Sequence, residues 1–367
     1  MDMEHLLYWI WLTNALAFEK IKPLHKLVGN ADSIYFMKNY DEFDFLDEND
    51  KARLLNKDLD GARAVFDRCK MNNIHIIVWD SKAYPPLLRH ISEPPLVLYA
   101  KGIIPDWKNI FTVGIVGTRK MSAYGNRITG EFAQKLAKRG GVIVTGLAVG
   151  NDIVATRAAI KQKQFTIALL GGGVDIVYPR ENELEYDYLA NHGLLLSERP
   201  PGEPPFRWNF PKRNRILAGI CRAVVVTEAP EKSGALITAH IAADEGRDVY
   251  TFPGNINLKS CRGTNMLIQE GVTPLLSPES FFDMYPELSK VQEQEIEEKP
   301  KKASADDVRI VGSEKTVYDA LFDRDMTTDE LIEKTGLSAT ECNTACFMLE
   351  LKRMIARLPG NLYHREE

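Results

Sequence analysis

The order of apolar segments constrains the fold of this chain more than any other feature. Six short, almost continuously apolar runs alternate with helical stretches between residues 111 and 252. A strand that is buried on both faces is apolar along its whole length, so this pattern predicts a parallel sheet covered by helices on both sides. The fold class is therefore α/β, doubly wound, with the ligand at the carboxyl ends of the strands. The predicted strands are Phe111–Val116, Val142–Val144, Thr166–Leu170, Leu194–Leu196, Ala223–Thr227 and Val249–Phe252.

Segments of different character precede and follow this core. Residues 1–73 are predicted to be helical, with an apolar face that begins at residues 6–12. Residues 74–99 begin with a strand and continue as two extended, proline-punctuated segments, Tyr84–Leu88 and Pro94–Tyr99. Residues 289–310 are polar and poor in aromatic residues, which is typical of a flexible linker. The predicted organisation is a helical module (1–73), an α/β domain (74–288), a linker (289–310) and a C-terminal domain (311–367).

The C-terminal domain has the pattern of a winged helix, in which three helices are followed by a hairpin. Thr327–Glu330 and Ser338–Glu341 are capping boxes that each begin a helix, and Leu358–Asn361 is the predicted turn of the hairpin. Residues 311–365 contain 7 Lys/Arg and 9 Asp/Glu. Because a DNA-reading helix presents basic and amide side chains, contact with protein fits this domain at least as well as contact with DNA.

Composition argues against a membrane span and against secretion. No apolar run approaches the roughly 20 residues that cross a bilayer, and acidic residues precede the early apolar run at residues 6–12, where a signal peptide is basic. The five cysteines lack a paired spacing, which favours a reducing cytoplasm. Cys342 and Cys346 are predicted to be small apolar helix residues, and we expect no metal and no cofactor.

The formal net charge of −5 conceals an uneven distribution. Residues 111–280 carry +4 and the remainder of the chain carries −9, much of it within Asp41–Asp50 and Glu293–Asp307. Net charge governs solubility and long-range steering, whereas a local basic strip still binds phosphate. The acidic balance therefore does not exclude a nucleic-acid partner for the α/β domain.

Glycine-rich turns follow the predicted strands. Gly117 and Thr118 end the first strand, where backbone amides and a helix N-terminus favour an anion. Arg119 is placed to bind a phosphate there, although a plain surface arginine fits equally well. Arg180, beyond the Gly171–Gly173 triplet, is a second candidate contact, and Ser233-Gly234 begins another helix after the fifth strand. Neither G-x-G-x-x-G nor G-K-[ST] occurs in these turns, which excludes a dinucleotide fingerprint and P-loop hydrolysis.

The carboxylates near these turns do not form a legible catalytic set. Asp152 is predicted to organise its loop or to cap a helix, and Asn182 is predicted to cap the helix after it. Glu228 alone invites a catalytic interpretation, with Glu198 as its possible partner. No nucleophile–base–orienter set is apparent, and the seven histidines lack ligand spacing. This favours a protein that is not an enzyme.

Residues 206–215 carry four basic residues and three aromatic residues without an acid. Single-stranded nucleic acid needs both types, since its phosphates bind cations and its exposed bases stack on aromatic rings. The alternative is that the aromatic residues belong to the core of a buried loop, which we prefer for Trp208. Charge pairing within the domain competes with phosphate binding for Arg213 or Arg215.

Several motifs occur together in the order typical of one protein family. The sequence resembles the DNA processing protein A family (DprA, also called Smf) over residues 80–275. The motifs are Gly117-Thr-Arg, Thr145-Gly-Leu-Ala-x-Gly-x-Asp, Gly171-Gly-Gly-Val-Asp-x-x-Tyr-Pro-x-x-Asn, Leu196-Ser-Glu-x-Pro-Pro-Gly, Phe210-Pro-x-Arg-Asn-Arg-Ile-x-Ala-Gly, Glu228-Ala-x-x-x-Ser-Gly-Ala-Leu-Ile-Thr-Ala, Phe252-Pro-Gly and Gly263-Thr-Asn-x-Leu-Ile-x-x-Gly.

The resemblance implies an extended Rossmann-like domain that binds single-stranded DNA and forms a homodimer. It also implies protection of incoming DNA and loading of the RecA recombinase during natural transformation, and a helical module (SAM- or helix-hairpin-helix-like) at residues 1–73. The family commonly has arginine where Val149 stands. The DNA contacts implied by the motifs are Gly117, Thr118, Arg119, Arg180, Phe210, Lys212, Arg213, Asn214, Ser233 and Gly234.

One alternative comes from a different class of protein. Rossmann-like phosphoribohydrolases, called lysine-decarboxylase-like proteins, use an arginine and a Pro-Gly-Gly-x-Gly-Thr-x-x-Glu loop. The corresponding region here begins at Glu228 and has no glutamate at that spacing, which disfavours this alternative.

Overall fold

The fold is described from a computed structural model of the chain. The structure describes residues 2–288, 312–322, 325–351, 354–358 and 362–365, so the predicted linker and residues 359–361 of the predicted turn lie outside it. The chain divides into two compact units, Met1–Gln292 and Glu293–Glu367, which we describe separately. The predicted boundaries of the helical module and the linker remain predictions.

Residues 2–73, all of which the structure describes, form five helices. Two of them begin at well-formed caps: the Asn30 side chain accepts a hydrogen bond from the N–H of Ser33, and Asp47 and Asp50 form a reciprocal capping box. The helices are α1 (Met3–Ala15), α2 (Phe18–Val28), α3 (Ala31–Phe36), α4 (Glu48–Leu55) and α5 (Asp60–Met71).

Three strands follow, after which helices and strands alternate up to residue 283. In chain order they are β1 (His75–Val78), β2 (Val97–Gly102), β3 (Thr112–Val116), α6 (Ala123–Lys138), β4 (Val142–Thr145), α7 (Asn151–Lys161), β5 (Thr166–Leu169), α8 (Glu183–His192), β6 (Leu194–Ser197), α9 (Asn209–Ile220), β7 (Ala223–Val226), α10 (Gly234–Asp244), β8 (Asp248–Thr251), α11 (Arg262–Gln269), β9 (Thr273–Pro274) and α12 (Glu279–Asp283).

The described strands of the first unit form one nine-stranded sheet with the order β1-β2-β6-β5-β4-β3-β7-β8-β9. Strands β3 to β9 are parallel to one another, whereas β2 runs antiparallel to both β1 and β6. Strands β4, β5 and β6 follow on one side of β3, and the chain then crosses back so that β7 lies on the other side of β3. The crevice between the carboxyl ends of β3 and β7 is therefore the topological switch point of the sheet.

Helices cover both faces of this sheet, as the continuous apolar strands predict. Within β3, Ile115 packs with residues of α6 and α7, while the next residue, Val116, packs on the opposite face with residues of α9 and α10. The N-terminal helices extend one of these layers, since Trp9 and Leu195 belong to the same apolar cluster. The predicted doubly wound α/β fold with an N-terminal helical segment is confirmed.

One prediction about this part of the chain is wrong. The segment Tyr84–Leu88 is not extended but turns into a short 3₁₀ helix at residues 87–90. Pro86 precedes that helix with φ −59° and ψ −42°, so its ring favours the helical conformation. Leu88 is buried in the same apolar cluster as residues of α9, and the Tyr84 hydroxyl donates a hydrogen bond to the carbonyl of Pro95 at 2.7 Å.

The second unit has the architecture of a winged helix, which confirms that prediction. Both predicted capping boxes form, because Thr327 exchanges hydrogen bonds with Glu330 and Ser338 exchanges them with Glu341. Cys342 and Cys346 are buried in its apolar cluster, as predicted for small apolar helix residues. Its described elements are α13 (Ser313–Ala320), β10 (Met326–Thr327), α14 (Thr328–Thr335), α15 (Ala339–Leu351), β11 (Ile355–Leu358) and β12 (Leu362–Arg365), with the strand order β10-β12-β11.

None of the helices in the described ranges has the length and apolar character that a bilayer span requires. The same residues nowhere bring together three His, Cys, Asp or Glu side chains that could hold a metal ion.

A half-buried histidine links α1 to α3 and to the segment after β1. The His5 ring contacts the carboxylates of Asp32 in α3 at 2.8 Å and of Asp80 after β1 at 3.1 Å. The indole N–H of Trp9 donates to the Asp80 carboxylate as well, at 3.3 Å. Burial lowers the pKa of His5, but hydrogen bonds and charge attraction from the two aspartates outweigh it, so the pKa is raised above 6.5.

We predict that His5 makes the stability of the first unit depend on pH. A histidine whose pKa is higher in the folded state stabilises that state fully below its unfolded pKa and loses the contribution as pH rises through the folded value. Replacing His5 with Gln should therefore lower the free energy of unfolding by on the order of 1 kcal/mol at about pH 5.5 and by less at about pH 9. Urea unfolding at both pH values measures this, with the exposed His75→Gln as a control. An equal loss at both pH values would contradict it.

Candidate nucleic-acid interface

A cleft of about 600 Å³ opens at the carboxyl ends of β3 and β7, where the strand order reverses. The turn after β3 forms one wall, the loop from Pro230 to the start of α10 forms the second, and the first turns of α9 form the third. Eight of the ten predicted contact residues line this cleft. They are Gly117, Thr118, Arg119, Phe210, Arg213, Asn214, Ser233 and Gly234.

Exposed cations surround the cleft. Arg119, Lys120, Lys232 and Lys259 all line it and are exposed, and none of them forms an ion pair with any residue that the structure describes. Because no ion pair neutralises these four cations among the described residues, their positive field extends into the cleft. The cleft therefore suits a ligand with several negative charges.

The N-terminus of α10 also points to an anion site. The Ser233 side chain caps the helix by accepting a hydrogen bond from the N–H of Ala235 at 3.2 Å. A side chain built on Gly234 would meet no other atom within 4 Å, so the backbone at this position is open to a ligand. The positive end of the helix dipole and these N–H groups favour a phosphate here.

Phe210 lies half-buried at the edge of the cleft. Its ring rests against Gly171, where a side chain would lie 3.0 Å from the ring. The ring centroid is 5.7 Å from that of Tyr178, and the Arg119 guanidinium lies 5.7 Å from the Phe210 centroid. The absence of a side chain at Gly171 thus lets the ring pack closely on the backbone, next to a cation. An aromatic ring and a cation are the two groups that can bind the base and the phosphate of one nucleotide.

Two buried charges hold the wall formed by α9. Arg213 is only 8% exposed, and burial lowers its pKa to about 10 despite the attraction of Asp152. Burial likewise raises the pKa of Asp152, against the attraction of Arg213, while its carboxylate accepts a hydrogen bond from the N–H of Gly146 at 2.9 Å. Asp152 is therefore the loop organiser that the sequence predicts. The Arg213 guanidinium donates to the carbonyl of Gly146 at 3.5 Å, so it is held within the domain without a direct ion pair among the described residues.

Arg215 is also engaged within the domain. Its guanidinium contacts Glu198 at 2.5 Å, and Glu198 contacts Arg199 at 3.0 Å as well. Glu198 therefore lies between two arginines. Glu198 is therefore a structural ion-pair partner, and its carboxylate is not available as a general acid or base.

Glu228 is fully buried below the cleft. Its carboxylate accepts a hydrogen bond from the N–H of Ser122, just before α6, at 2.9 Å, and the Cys261 thiol lies 3.8 Å away. Its backbone carbonyl accepts a hydrogen bond from the N–H of Thr118 at 2.7 Å. Glu228 thus joins the ends of β3 and β7 to the start of α6, and its carboxylate is not open to a substrate.

Gly117 and Thr118 shape the turn that presents Arg119. A side chain at Gly117 would lie 2.5 Å from the amide nitrogen of Asn151, which is buried and hydrogen-bonded to Thr129 and Thr227. The Thr118 hydroxyl accepts a hydrogen bond from the N–H of Lys120 at 3.1 Å. These two residues keep the turn tight, and the exposed guanidinium follows directly after them.

Arg180 lies outside the main cleft and is exposed. It follows Tyr178 and Pro179, which line a small adjoining cavity of about 50 Å³ together with Arg119, Val149 and Phe210. The prediction for Asn182 is wrong in its detail. Asn182 occupies the N-cap position of α8, but its side chain is buried and donates to the carbonyl of Leu147 at 2.9 Å instead of capping the helix.

Lys212 also lies outside the cleft, because α9 has two different sides. The residues of α9 at positions 210, 213, 214 and 217 line the cleft at helical spacing. Positions 208, 212 and 215 fall on the other side of the helix, where the exposed Lys212 adjoins Glu198 and Arg199. The basic and aromatic residues that are interleaved in the sequence are thus divided between two surfaces.

The prediction that Trp208 belongs to a buried core is wrong. Trp208 is 63% exposed and Phe206 is 40% exposed. Their rings stack on each other, with centroids 4.7 Å apart and planes 8° apart. Trp208 precedes the first turn of α9, whose buried side is occupied by Ile216, Leu217 and Ile220, so the indole has no place in the core.

Sequence reasoning missed three cations of the cleft. Lys120 and Lys232 stand next to the predicted residues Arg119 and Ser233, so their position after β3 and β7 was a usable signal. Lys259 reaches the cleft through the long loop after β8, and nothing in the local sequence indicates that path.

The chain matches two protein-family models. The model of the DNA recombination-mediator protein A family matches residues 75–286, and that of the DprA winged helix domain matches residues 299–361. The DNA processing protein DprA of Bacillus subtilis is 42% identical over 214 residues, which are 58% of this chain and 72% of that protein. Protein Smf of Synechocystis is 32% identical over 371 residues, with 94% and 87% of the two chains covered.

Two solved structures share the fold. DNA processing protein A of Streptococcus pneumoniae matches with a TM-score of 0.65 and 32% identity, covering 76% of this chain and 97% of that one. DNA processing protein A of Helicobacter pylori, whose structure is described as giving insight into its single-stranded DNA binding mode, matches with a TM-score of 0.52 and 29% identity over 57% and 95% of the two chains. The sequence matches, the order of the sheet and the cleft at its switch point agree with one another, and the chain belongs to the DNA recombination-mediator protein A (DprA/Smf) family.

Proposed function

We propose that this chain is a non-enzymatic protein that binds single-stranded DNA in the cleft at the carboxyl ends of β3 and β7. One observation carries the proposal: exposed cations without ion-pair partners among the described residues line a cleft that also contains a half-buried aromatic ring, and one of them, Arg119, lies next to that ring. Arg119, Ser233 and Gly234 would bind phosphates, and Phe210 would stack on a base. The Helicobacter pylori relative, described by its single-stranded DNA binding mode, supports the same ligand.

The remaining predicted residues take different roles in this proposal. Asn214 is half-buried on the cleft side of α9, where its amide would bind a phosphate or sugar oxygen. Gly117, Thr118 and Arg213 would act by holding the walls, because the first two form the turn and Arg213 is buried. Arg180 would bind the strand just beyond Tyr178.

The phosphoribohydrolase alternative has little support in the geometry. Its catalysis would need a carboxylate that reaches the substrate, whereas Glu228 is fully buried and Glu198 is held by two arginines. Release of a base from nucleoside monophosphates, lost on Glu228→Gln, would overturn the non-enzymatic assignment. Since Glu228 orders the cleft, that variant needs a melting curve beside the assay.

The finer roles proposed here rest on family membership. We propose that the protein protects incoming single strands in the cytoplasm, loads the RecA recombinase onto them and acts as a homodimer. The relatives named as DNA processing proteins support a role in DNA processing. For the winged helix we propose contact with protein, since its segment carries more acidic than basic residues.

We predict preferential binding of single strands. A base in a duplex is already stacked on its neighbours, so Phe210 gains a partner only from a single strand. Affinity for a mixed-sequence single strand should exceed that for the matching duplex and should tolerate changes in base sequence. It should also fall with salt, by a slope of about −0.7 for each phosphate contact. Fluorescence anisotropy at two salt concentrations measures both, and equal or tighter binding of duplex would refute the proposal.

We predict that Arg119→Ala and Phe210→Ala differ in kind. Loss of Arg119 should weaken binding and flatten the salt dependence by about 0.7, because one phosphate contact is lost. Loss of Phe210 should weaken binding by roughly 1–3 kcal/mol and leave the slope unchanged. Lys108→Ala, an exposed cation before the amino end of β3, serves as the control and should change neither quantity. A Phe210 variant that melts early would assign the ring to the core instead.

A gain of function is predicted at Val149. This side chain is 36% exposed and lines the small cavity next to Arg119 and Phe210. Val149→Arg adds a cation there without filling a packed core, so the affinity for single strands should rise and the salt slope should steepen by about 0.7. Val149→Gln is the matched control, since it adds a long polar side chain without charge. A similar gain in both variants would contradict a phosphate contact.

A further inference from the structure

The loop before α9 and the first turn of that helix carry an exposed patch of aromatic and basic residues. Of the ten predicted DNA contacts, only Lys212 belongs to this patch. We define this patch by Phe206, Arg207, Trp208 and Lys212. The two rings stack in nearly parallel planes, and the Trp208 side chain is 63% exposed. Arg207 and Lys212 are both exposed, and neither forms an ion pair with a residue in the described ranges.

The patch adjoins the cleft without being part of it. Trp208 and Phe210 are two residues apart, so no more than about 7 Å of chain separates their α-carbons. The loop that leads to the patch packs on the glycine triplet, because a side chain at Gly172 would lie 2.9 Å from the backbone of Glu203 and of Pro205. The neighbouring Gly171 seats the Phe210 ring. The Phe210 ring and the loop that leads to the patch thus pack on adjacent glycines of the same turn.

The loop that carries the rings is held in place. The N–H of Phe206 donates to the carbonyl of Pro204 at 2.8 Å, and the N–H of Asn209 donates to the carbonyl of Phe206 at 2.9 Å. The Asn209 side chain, which is buried, donates to Glu203 at 2.9 Å. A platform that is ordered before it binds loses little conformational entropy when a ligand stacks on it.

The charges of the surroundings favour a polyanion. Glu198, the acidic residue that adjoins Lys212, is paired with Arg199 and Arg215, and Glu203 is engaged by Asn209. The two cations of the patch are therefore not neutralised by these carboxylates. An exposed ring in the same patch as two uncompensated cations has the chemistry of a stacking site for single-stranded nucleic acid.

We propose that the Phe206–Trp208 stack is a second base-stacking site, on which single-stranded DNA continues after it leaves the cleft. The outer face of Trp208 takes a base, Phe206 supports the indole from behind, and Arg207 and Lys212 bind the phosphates on either side. This inference rests on the proposed function of the cleft. It accounts for Lys212, which α9 turns away from the cleft.

Oligonucleotide length tests the proposal. The probes are oligothymidylates of about 4 and about 16 nucleotides, the limits of common site sizes for single-strand-binding modules. Trp208→Ala in the full-length protein should weaken binding of the longer probe by about fivefold to about 150-fold and leave binding of the shorter one within about twofold. Trp208→Phe, which keeps an aromatic face, should bind the longer probe nearly as the unaltered chain does.

Tryptophan emission gives an independent readout. Trp9 and Trp11 are buried and Trp79 and Trp107 are half-buried, so Trp208 is the indole most accessible to a ligand. The longer probe should quench the emission of the unaltered protein, and Trp208→Phe should remove this quenching while the affinity is kept. Melting curves of both variants show whether the fold is intact.

The outcomes separate this proposal from that for the cleft. If Trp208→Ala binds the longer probe with unchanged affinity while Arg119→Ala weakens both probes, the second stacking site is refuted and the cleft proposal stands. If the unaltered protein binds neither probe, both fall. Unchanged DNA binding by Trp208→Ala with loss of RecA loading would assign the patch to a protein partner and would also overturn the inference.

Discussion

Buried carboxylates, rather than apolar packing alone, hold the walls of the cleft in position. Glu228 fastens the start of α6 with its carboxylate and the turn after β3 with its backbone carbonyl. Asp152 orders the loop after β4 and attracts the buried Arg213 of α9. Burying charge is costly unless hydrogen bonds or an opposite charge compensate it, so each of these groups fixes the geometry of its neighbours. The presentation of Arg119 and Phe210 depends on this framework.

Several residues of the family motifs act on the framework of the cleft and are therefore not exposed. Thr118 and Arg213 are buried and Gly117 is half-buried, and these residues determine where the backbone runs. The groups that can meet a ligand are the exposed Arg119, which follows this turn directly, and the open backbone at Gly234. Each motif thus combines residues that constrain the backbone with residues that can contact a ligand.

The sequence predicted the fold more accurately than it predicted which side chains are exposed. Continuous apolar strands require burial on both faces, so the doubly wound sheet followed from periodicity, and the capping boxes located two helices of the winged helix. The cleft could be anticipated because parallel strands bring their carboxyl ends together. Trp208 and Lys212 could not be placed correctly, because their surroundings depend on which side of α9 faces the cleft. Tertiary packing, and not the local sequence, determines this rotation of the helix about its axis. The local sequence likewise does not indicate that the loop after β8 brings Lys259 to the cleft.

The ion pair between Arg68 of α5 and Asp175 has a consequence for how this chain can vary. Asp175 contacts Arg68 at 3.1 Å and also accepts a hydrogen bond from the N–H of Gly202 at 2.8 Å, at the start of the loop that leads to the Phe206–Trp208 stack. The same helices share an apolar cluster with Leu195 of the sheet. The N-terminal helices therefore pack on the sheet and support that loop, and they do not form a separate domain. A shorter homologue that lacks them would need another cover for this side of the sheet and another brace for the loop.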